Sequence, residues 1–149
     1  MTTVDPAAFK AAAGSFGTGV TIVTSNQNGQ VYGMTVSAFA SLSIEPMQII
    51  VSLRTGSLLQ DMIFDSNNFA VSILREDQKE VAAYFATSGR EPCDGKFPGL
   101  RCSTAVSGAP IIGGPGWHGS WNKNTNKIVI RSFNISEGHI QSKAATHEH

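Results

Sequence analysis

The stretch GMTVSAFASLSIEP, residues 33 to 46, decides the fold and raises the first functional question. It alternates like a β-strand, but small and hydroxyl-bearing side chains stand where a strand usually carries bulk. In an extended strand, alternate residues share a face. One face would then carry Thr35, Ser37, Ser41 and Ser43, and the other Val36, Ala38, Ala40 and Leu42. A face of hydroxyls either looks at water or lines the polar rim of a planar heterocycle.

The size and composition of the chain limit what it can be. Its 149 residues are enough for one domain with a hydrophobic core, so residues 1–149 are predicted to form a single domain. Because the formal net charge is zero, nothing favours nucleic acid or an anionic membrane as a partner. Charged residues make up only 15% of the chain, which suggests that a second subunit covers part of its surface.

The compartment is predicted from what the sequence lacks. No apolar run approaches the roughly 20 residues needed to cross a bilayer. The first residues, MTTVDPAAFKAAAGSF, have neither the basic nor the apolar region of a secretory signal. Cys93 and Cys102 are therefore expected to be two thiols rather than a disulfide. The chain is predicted to be cytoplasmic.

The pattern of elements predicts a mainly β fold with peripheral helices. Helices are expected from Asp5 to Gly14, from Ser57 to about Asn67, and over residues 78–86 with Asp77 as the cap. Strands are expected at residues 18–25, 30–44, 47–53, 69–74 and 127–136, with a short one at 109–112 and a loop over 87–109. Residues 26–29, NQNG, join the first two strands as a hairpin.

This arrangement indicates an antiparallel, barrel-like sheet with the helices outside. A doubly wound nucleotide-binding fold needs a glycine-rich turn between its first strand and helix. Here the glycine-rich GSFGTG, residues 14–19, precedes the first strand, so that fold is excluded.

Residues 52–57, SLRTGS, are the first candidate binding site. A strand brings Arg54 beside the helix that Ser57 caps, so a guanidinium, a hydroxyl and free backbone N–H groups converge. This geometry suits a phosphate. The alternative is an ordinary capped helix beside an exposed arginine.

Two further segments have side chains suited to a planar ligand. Thr35, Ser37 and the backbone at Val36 and Ala38 offer hydrogen bonds to a heterocycle, while small side chains leave room for its ring. In the loop DGKF, residues 94–97, a lysine could meet a phosphate and a phenylalanine could cover a ring. The alternatives are a solvent-facing strand and an ordinary loop.

Familiar catalytic and metal-binding motifs are missing. The sequence contains no HExxH, CxxC or GxSxG, and no carboxylate pair stands out as an acid–base dyad. Zinc peptidase, zinc ribbon and hydrolase activities therefore have no support, and no metal site is predicted. Of the four histidines, only His118 is a catalytic candidate, and a weak one; the final HEH is expected to be a frayed tail.

Taken in order, these segments resemble the flavin reductase-like family with an FMN-binding split barrel, the reductase components of two-component flavin monooxygenases. The matching segments are FGTGVTIVT (16–24), GMTVSAFASLSIEP (33–46), QIIVSLRTGSLLQDM (48–62), NFAVSIL (68–74), DGKFPGL (94–100) and GAPIIGG (108–114). The resemblance implies an antiparallel split β-barrel in which residues 35–38 border the flavin ring and residues 52–57 hold its ribityl and phosphate groups. The implied flavin-binding residues are Thr35, Val36, Ser37, Ala38, Ser52, Leu53, Arg54, Ser57, Lys96 and Phe97. Lys96 and Phe97 match a loop that closes over the flavin from a neighbouring subunit or chain segment.

The resemblance implies an NAD(P)H-dependent flavin reductase, which transfers a hydride from NADH or NADPH to FMN or FAD. It also implies a cytoplasmic homodimer that supplies reduced flavin to a partner monooxygenase. The alternatives are a weakly active or non-catalytic FMN-binding module, or a split barrel that binds another planar cofactor such as haem.

Residues 115–149 depart from the family pattern. Relatives continue after the GAP segment with an apolar strand, a Gly-Asp-His turn associated with the nicotinamide, and a final strand. Here NTNK, residues 124–127, is the nearest match to that turn and contains no histidine, and residues 134–149 are unlike a closing strand. Either this end has diverged, or the reading frame changed near residue 115.

Overall fold

The computed structural model describes residues 5–43, 45, 48–105, 107–113, 118–122, 129–136 and 139–145. Its α-helices are α1 (Pro6–Gly14), α2 (Leu58–Ser66) and α3 (Lys79–Ala86), and Glu76–Gln78 form a short 3-10 helix. The strands are β1 (Thr21–Gln27), β2 (Gln30–Val36), β3 (Phe39–Ser43), β4 (Gln48–Arg54), β5 (Asn68–Ile73), β6 (Cys93–Asp94), β7 (Cys102–Thr104), β8 (Pro110–Ile112), β9 (His118–Asn122), β10 (Val129–Ser136) and β11 (His139–Ala145).

The strands form two main sheets. One has the order β6-β2-β1-β5-β9 and the other β11-β10-β4-β3, while β7 and β8 form a separate pair. Every pairing is antiparallel except that of β10 with β4. The prediction of a mainly β fold with peripheral helices is confirmed.

The first hairpin forms as predicted. Gln27 pairs with Gln30, which leaves Asn28 and Gly29 as a two-residue turn. Both turn residues have positive φ, 54° and 89°. This backbone is that of a type I′ turn, whose twist matches that of the strands and which favours Asn-Gly.

The predicted long strand over residues 30–44 is wrong, because it is two strands in two different sheets. β2 ends at Val36 and β3 begins at Phe39, whose N–H donates to the Ser37 carbonyl at 3.0 Å. This tight turn rotates the chain, so residues before and after it do not share a face. Leu42, expected on the same face as the buried Val36, is 50% exposed.

The helix caps are confirmed for two helices and corrected for the third. Asp5 accepts from the N–H groups of Ala7 and Ala8 at the start of α1, and α2 ends at Asn67 with φ 53°. Asp77 does not cap α3, because it is paired with Arg75 at 2.6 Å. A 3-10 turn precedes α3 instead, and there the Gln78 side chain accepts from the Arg75 N–H at 2.9 Å.

Regular structure extends further than predicted in the second half of the chain. The expected loop over residues 87–109 contains β6 and β7, which take their register from β2 and β8. The C-terminal end, expected to be unlike a closing strand, contains β11, paired along its length with β10. The pairing of β6 with β2 joins residues distant in sequence, such as Gln30 and Asp94, which local patterns do not encode. β7 with β8, and β10 with β11, are pairings between neighbouring segments that the sequence patterns did not reveal. Cys93 and Cys102 are free thiols, as predicted.

Two hydrophobic clusters form most of the core. The first includes Val23, Val51, Leu59 and Phe69, and packs α2 against strands of both sheets. The second consists of Ile22, Val31, Phe85, Phe97 and Ile112, and packs α3 and the loop after β6 against the five-stranded sheet. Among the described helices, none is long and apolar enough to cross a membrane.

Gly33 lies where α3 packs against β2, and a larger side chain there should be destabilising. A Cβ atom would lie 2.9 Å from the Thr24 methyl, 3.1 Å from the Phe85 ring and 3.2 Å from the Val23 carbonyl oxygen. We expect Gly33→Ala to lower the free energy of unfolding by about 1–3 kcal/mol, measured by urea denaturation.

Gly14→Ala is the matched control for this substitution. Like Gly33, Gly14 lies in regular secondary structure, as the last residue of α1. A Cβ atom at Gly14 would have no neighbouring atom within 4 Å. We expect this variant to be at least as stable as wild type, because the added methyl group meets no other atom and alanine is the better helix former. Equal stability of both variants would contradict the packing described at Gly33.

Candidate functional site

The turn between β2 and β3 lies directly against β4. The N–H of Ser52 donates to the carbonyl of Ala38 at 2.9 Å, and Phe39 pairs with Val51. The hydroxyl-rich strand and the SLRTGS segment are far apart in sequence, and the structure brings them into contact here. We call Ser37, Ala38 and Ser52 the sheet corner.

Two hydrogen bonds between main chain and side chains hold the turn between β4 and α2. Beyond Arg54 the chain turns through Gly56, whose φ of 72° favours glycine. The Ser57 hydroxyl accepts from the Gln60 N–H at 3.4 Å, and the Gln60 side chain accepts from the Gly56 N–H at 2.9 Å. This exchange resembles a capping box, shifted by one residue at its return bond.

The start of α2 is suited to an anion. The N–H of Leu58, its first residue, has no earlier helical carbonyl to bond, and the helix dipole adds partial positive charge. Leu58 is exposed, whereas Leu59 is fully buried in the core. The Arg54 side chain is exposed at the end of β4, three residues before the Ser57 cap. The only acidic residue of this first turn, Asp61, is exposed.

Burial divides the predicted residues of this region into two groups. Ser37, Ala38 and Arg54 are exposed and Ser52 is half-buried, so these residues can touch a ligand. The side chains of Val36, Leu53 and Ser57 are at most 6% exposed. The side chains of these three residues therefore pack beneath the surface of the candidate site, and mainly their backbone groups could contact a ligand.

Thr35 is half-buried and already has a hydrogen-bond acceptor. Its hydroxyl donates to the carbonyl of Ala82 in α3 at 2.6 Å. The hydroxyl proton is used inside the protein, so Thr35 links β2 to α3 and offers a ligand its backbone or an oxygen lone pair.

Lys96 and Phe97 lie away from the sheet corner of their own chain. The pairing of β6 with β2 sets their loop beside Gln30 and Val31, at the opposite end of β2. Six residues of extended strand separate Gln30 from Val36, about 20 Å. Lys96 is exposed, whereas Phe97 is 1% exposed, with its ring 4.9 Å from that of Phe85. Phe97 is thus a core residue and does not cover a ligand within this chain.

Cys102 lies near the same loop. Burial raises the pKa of its thiol. A hydrogen bond with the backbone of Phe97 lowers the pKa by a smaller amount. The thiol is therefore protonated at neutral pH and is not a nucleophile there.

The weak candidate His118 lies in β9, opposite Ser72 of β5. In the same register row, Ser72 pairs with Ile22 and Ile22 with Thr35. Three strand spacings, about 14 Å, therefore separate the backbones of His118 and Thr35. In the described part of the chain, no group of three or more His, Cys, Asp or Glu side chains could hold a metal ion.

The sequence predicted α3 but not that this helix packs on β2 and supports it. α3 packs on the strand at Gly33, where the Phe85 ring fills the space that a side chain would occupy. Arg90 donates from its guanidinium to the Gly33 carbonyl and to the Phe85 carbonyl. A glycine inside a strand is a sequence signal for such a close approach. Nothing local in the sequence marks Arg90.

Comparison with known proteins identifies the relatives of this chain. Residues 13–116 match the family described as flavin reductase like domain. The NADH-dependent flavin reductase of a Rhodococcus species is 34% identical over 111 residues, which cover 72% of this chain and 63% of that protein. The reductase component of a flavin-dependent trigonelline monooxygenase from Acinetobacter baylyi is 38% identical over 102 residues, 68% of this chain and 32% of that protein. The matched part spans less than two thirds of the length of these relatives.

A solved structure shows the same fold. The NADH:FAD oxidoreductase SgcE6 of Streptomyces globisporus, in complex with NAD and FAD fragments, superimposes with a TM-score of 0.73 at 25% identity. The superposition covers 98% of this chain and 84% of that one. This agrees with the split-barrel fold expected from the sequence.

Proposed function

Because this chain belongs to the flavin reductase like family, we propose that it transfers a hydride from NADH or NADPH to FMN or FAD. One observation carries the proposal. The sheet corner is bonded to β4, the strand that also carries the exposed Arg54 and leads to the exposed N-terminus of α2 at Leu58, so small side chains and an anion-binding end follow one another along this segment.

The proposed flavin site has an anion-binding end and a ring-binding end. Arg54 and the N–H of Leu58 would hold the phosphate, with the Ser57 cap fixing the turn of the chain. At the corner, the small Ser37 and Ala38 leave a flat surface for the ring, and backbone groups from Thr35 onward border its polar edge. Bound flavin supplies the hydride acceptor.

The protein contributes position and polarity to this reaction. A hydride moves with its electron pair, so the transfer requires no side chain to give or take a proton. Fixed N–H groups at a helix start favour negative charge on a neighbouring ligand. The absence of an acid–base dyad in the sequence is consistent with this chemistry.

We also propose that the protein is a cytoplasmic homodimer that supplies reduced flavin to a monooxygenase. The relative from Acinetobacter is the reductase component of such an enzyme, which supports a partner of this kind. The placement of Lys96 supports the dimer, since this exposed lysine lies far along β2 from its own sheet corner. In a dimer, its loop would meet the flavin site of the second subunit.

A weakly active flavin-binding module is the second candidate function. It is favoured by the C-terminal segment, where the Gly-Asp-His turn of the family has no counterpart. A protein of this kind would bind flavin through the same residues and transfer hydride slowly.

Anaerobic oxidation of NADH and NADPH with added FMN or FAD tests the activity. We expect the absorbance of oxidised flavin to be lost at catalytic protein concentration, because the flavin accepts the hydride. Flavin binding without bleaching would support the module instead. Absence of both binding and bleaching would contradict the flavin site itself.

Arg54→Ala should weaken flavin binding without unfolding the protein. Loss of one charge-assisted hydrogen bond costs about 1–2 kcal/mol, or about 5- to 30-fold in the dissociation constant. Because Arg54 is exposed, its replacement should leave the melting temperature unchanged. Fluorescence titration with FMN and FAD measures the affinity, and Arg101→Ala, another exposed arginine, is the control. Unchanged affinity in Arg54→Ala would contradict the phosphate assignment.

The dimer gives a prediction of its own. Light scattering after size-exclusion chromatography should give twice the chain mass of 15.8 kDa at micromolar concentration. A monomer across the accessible concentration range would contradict the dimer and, with it, the role of Lys96 in a neighbouring site.

A further inference from the structure

Arg90 is held by main-chain oxygens of two different elements. One terminal nitrogen of its guanidinium donates to the Gly33 carbonyl of β2 and, at 3.0 Å, to the Phe85 carbonyl of α3. The Nε group donates to the Thr87 carbonyl, just beyond α3, at 3.2 Å. The side chain therefore caps the end of α3 and joins it to β2 at the same time.

Three aromatic rings surround this guanidinium. Its central carbon lies 5.1 Å from the ring centroids of Tyr32, Tyr84 and Phe85. Within the described residues, the only ion pair is that of Arg75 with Asp77, so the charge of Arg90 is satisfied by carbonyl dipoles and ring faces. These carbonyls and rings fit the planar, forked guanidinium of arginine, and a lysine cannot make the same set of contacts.

The contacts of Arg90 fix the part of β2 that leads into the sheet corner. Its bond to Gly33 lies beside the contact between Gly33 and the Phe85 ring. Two residues on, the Thr35 hydroxyl binds the Ala82 carbonyl of the same helix. β2 is thus tied to α3 at Gly33 and again at Thr35, immediately before the chain turns.

The same helix also supports the Lys96 loop. The Phe85 ring packs edge-on against the ring of Phe97 at 4.9 Å. Phe85 therefore contacts Gly33 on one side and the residue after Lys96 on the other, and its carbonyl is bonded to Arg90. Phe85 and Arg90 therefore support both segments assigned to the flavin, residues 35–38 and residues 96–97.

We propose that Arg90 is a positioning residue for flavin binding, which sets the sheet corner through Gly33 and α3 without touching the ligand. The inference rests on the proposed function and deepens it. It assigns flavin affinity to a side chain that bonds β2 at Gly33, two residues before Thr35, and that is not among the residues assigned to contact flavin.

The test compares Arg90→Lys with Arg101→Lys, the same exchange at an exposed position. FMN and FAD are titrated at a temperature well below the melting temperature of every variant, so that unfolded protein does not contribute. We expect Arg90→Lys to raise the flavin dissociation constant about 5- to 20-fold, because the compact ammonium lacks the planar fork that reaches carbonyls of both β2 and α3 between the aromatic rings. Arg101→Lys should stay within about two-fold of wild type.

A steady-state measurement separates positioning from general stability. We expect the flavin KM to rise in Arg90→Lys with kcat largely preserved, since the ground-state site is what moves. A lower melting temperature with wild-type flavin affinity and KM would show a structural role alone and would overturn the inference. Tyr84→Leu removes one ring face and is the variant to use if Arg90→Lys does not fold. It should weaken binding in the same direction, and wild-type affinity there would equally overturn the inference.

The wild-type titration distinguishes the two proposals. If wild-type protein binds neither FMN nor FAD, the proposed function fails and the role of Arg90 falls with it. If wild type binds flavin and Arg90→Lys binds it equally well, the inference about Arg90 alone fails.

Discussion

The hydrogen bond from the Ser52 N–H to the Ala38 carbonyl joins the fold and the site. It lies where the chain leaves the five-stranded sheet and enters the four-stranded one, so it sets the register of β3 on β4. The same bond places the small residues of the turn beside the strand that ends in Arg54. A register shift of one residue would exchange the inward and outward faces of β3 and separate these groups.

Local chemistry in the sequence was sufficient where a few adjacent residues determine the backbone. Asn28 and Gly29 predicted the hairpin because both must adopt positive φ. Asp5 and Ser57 predicted helix starts because their side chains can accept from N–H groups two or three residues ahead. The proposed anion-binding end of the site rests on the same rule, since it follows from a capped helix start beside Arg54.

The errors arose where distant contacts overrode a local pattern. Residues 30–44 alternate without interruption, but pairing with β4 and packing of α3 divide them at Ser37 and Ala38. The error at Asp77 has a local cause instead: this residue lies within the 3-10 turn and pairs with Arg75, two residues earlier. Phe97 suited a ligand-covering role in sequence, and its burial against Phe85 became apparent only from the fold. Lys96 is exposed instead, and its contact with flavin is a proposal that requires a second subunit.

The C-terminal segment affects the site through the backbone of β4, whether or not it carries a nicotinamide-side histidine. β10 runs parallel to β4, with Arg131 opposite Ser52 and Phe133 opposite Arg54. β4 is therefore an interior strand, held by β3 on one side and β10 on the other. An interior strand has its backbone groups bonded on both edges and resists displacement better than an edge strand. The part of the chain that departs most from the family thus supports the strand that carries Ser52 and Arg54, so substitutions in β10 should also disturb the proposed flavin site.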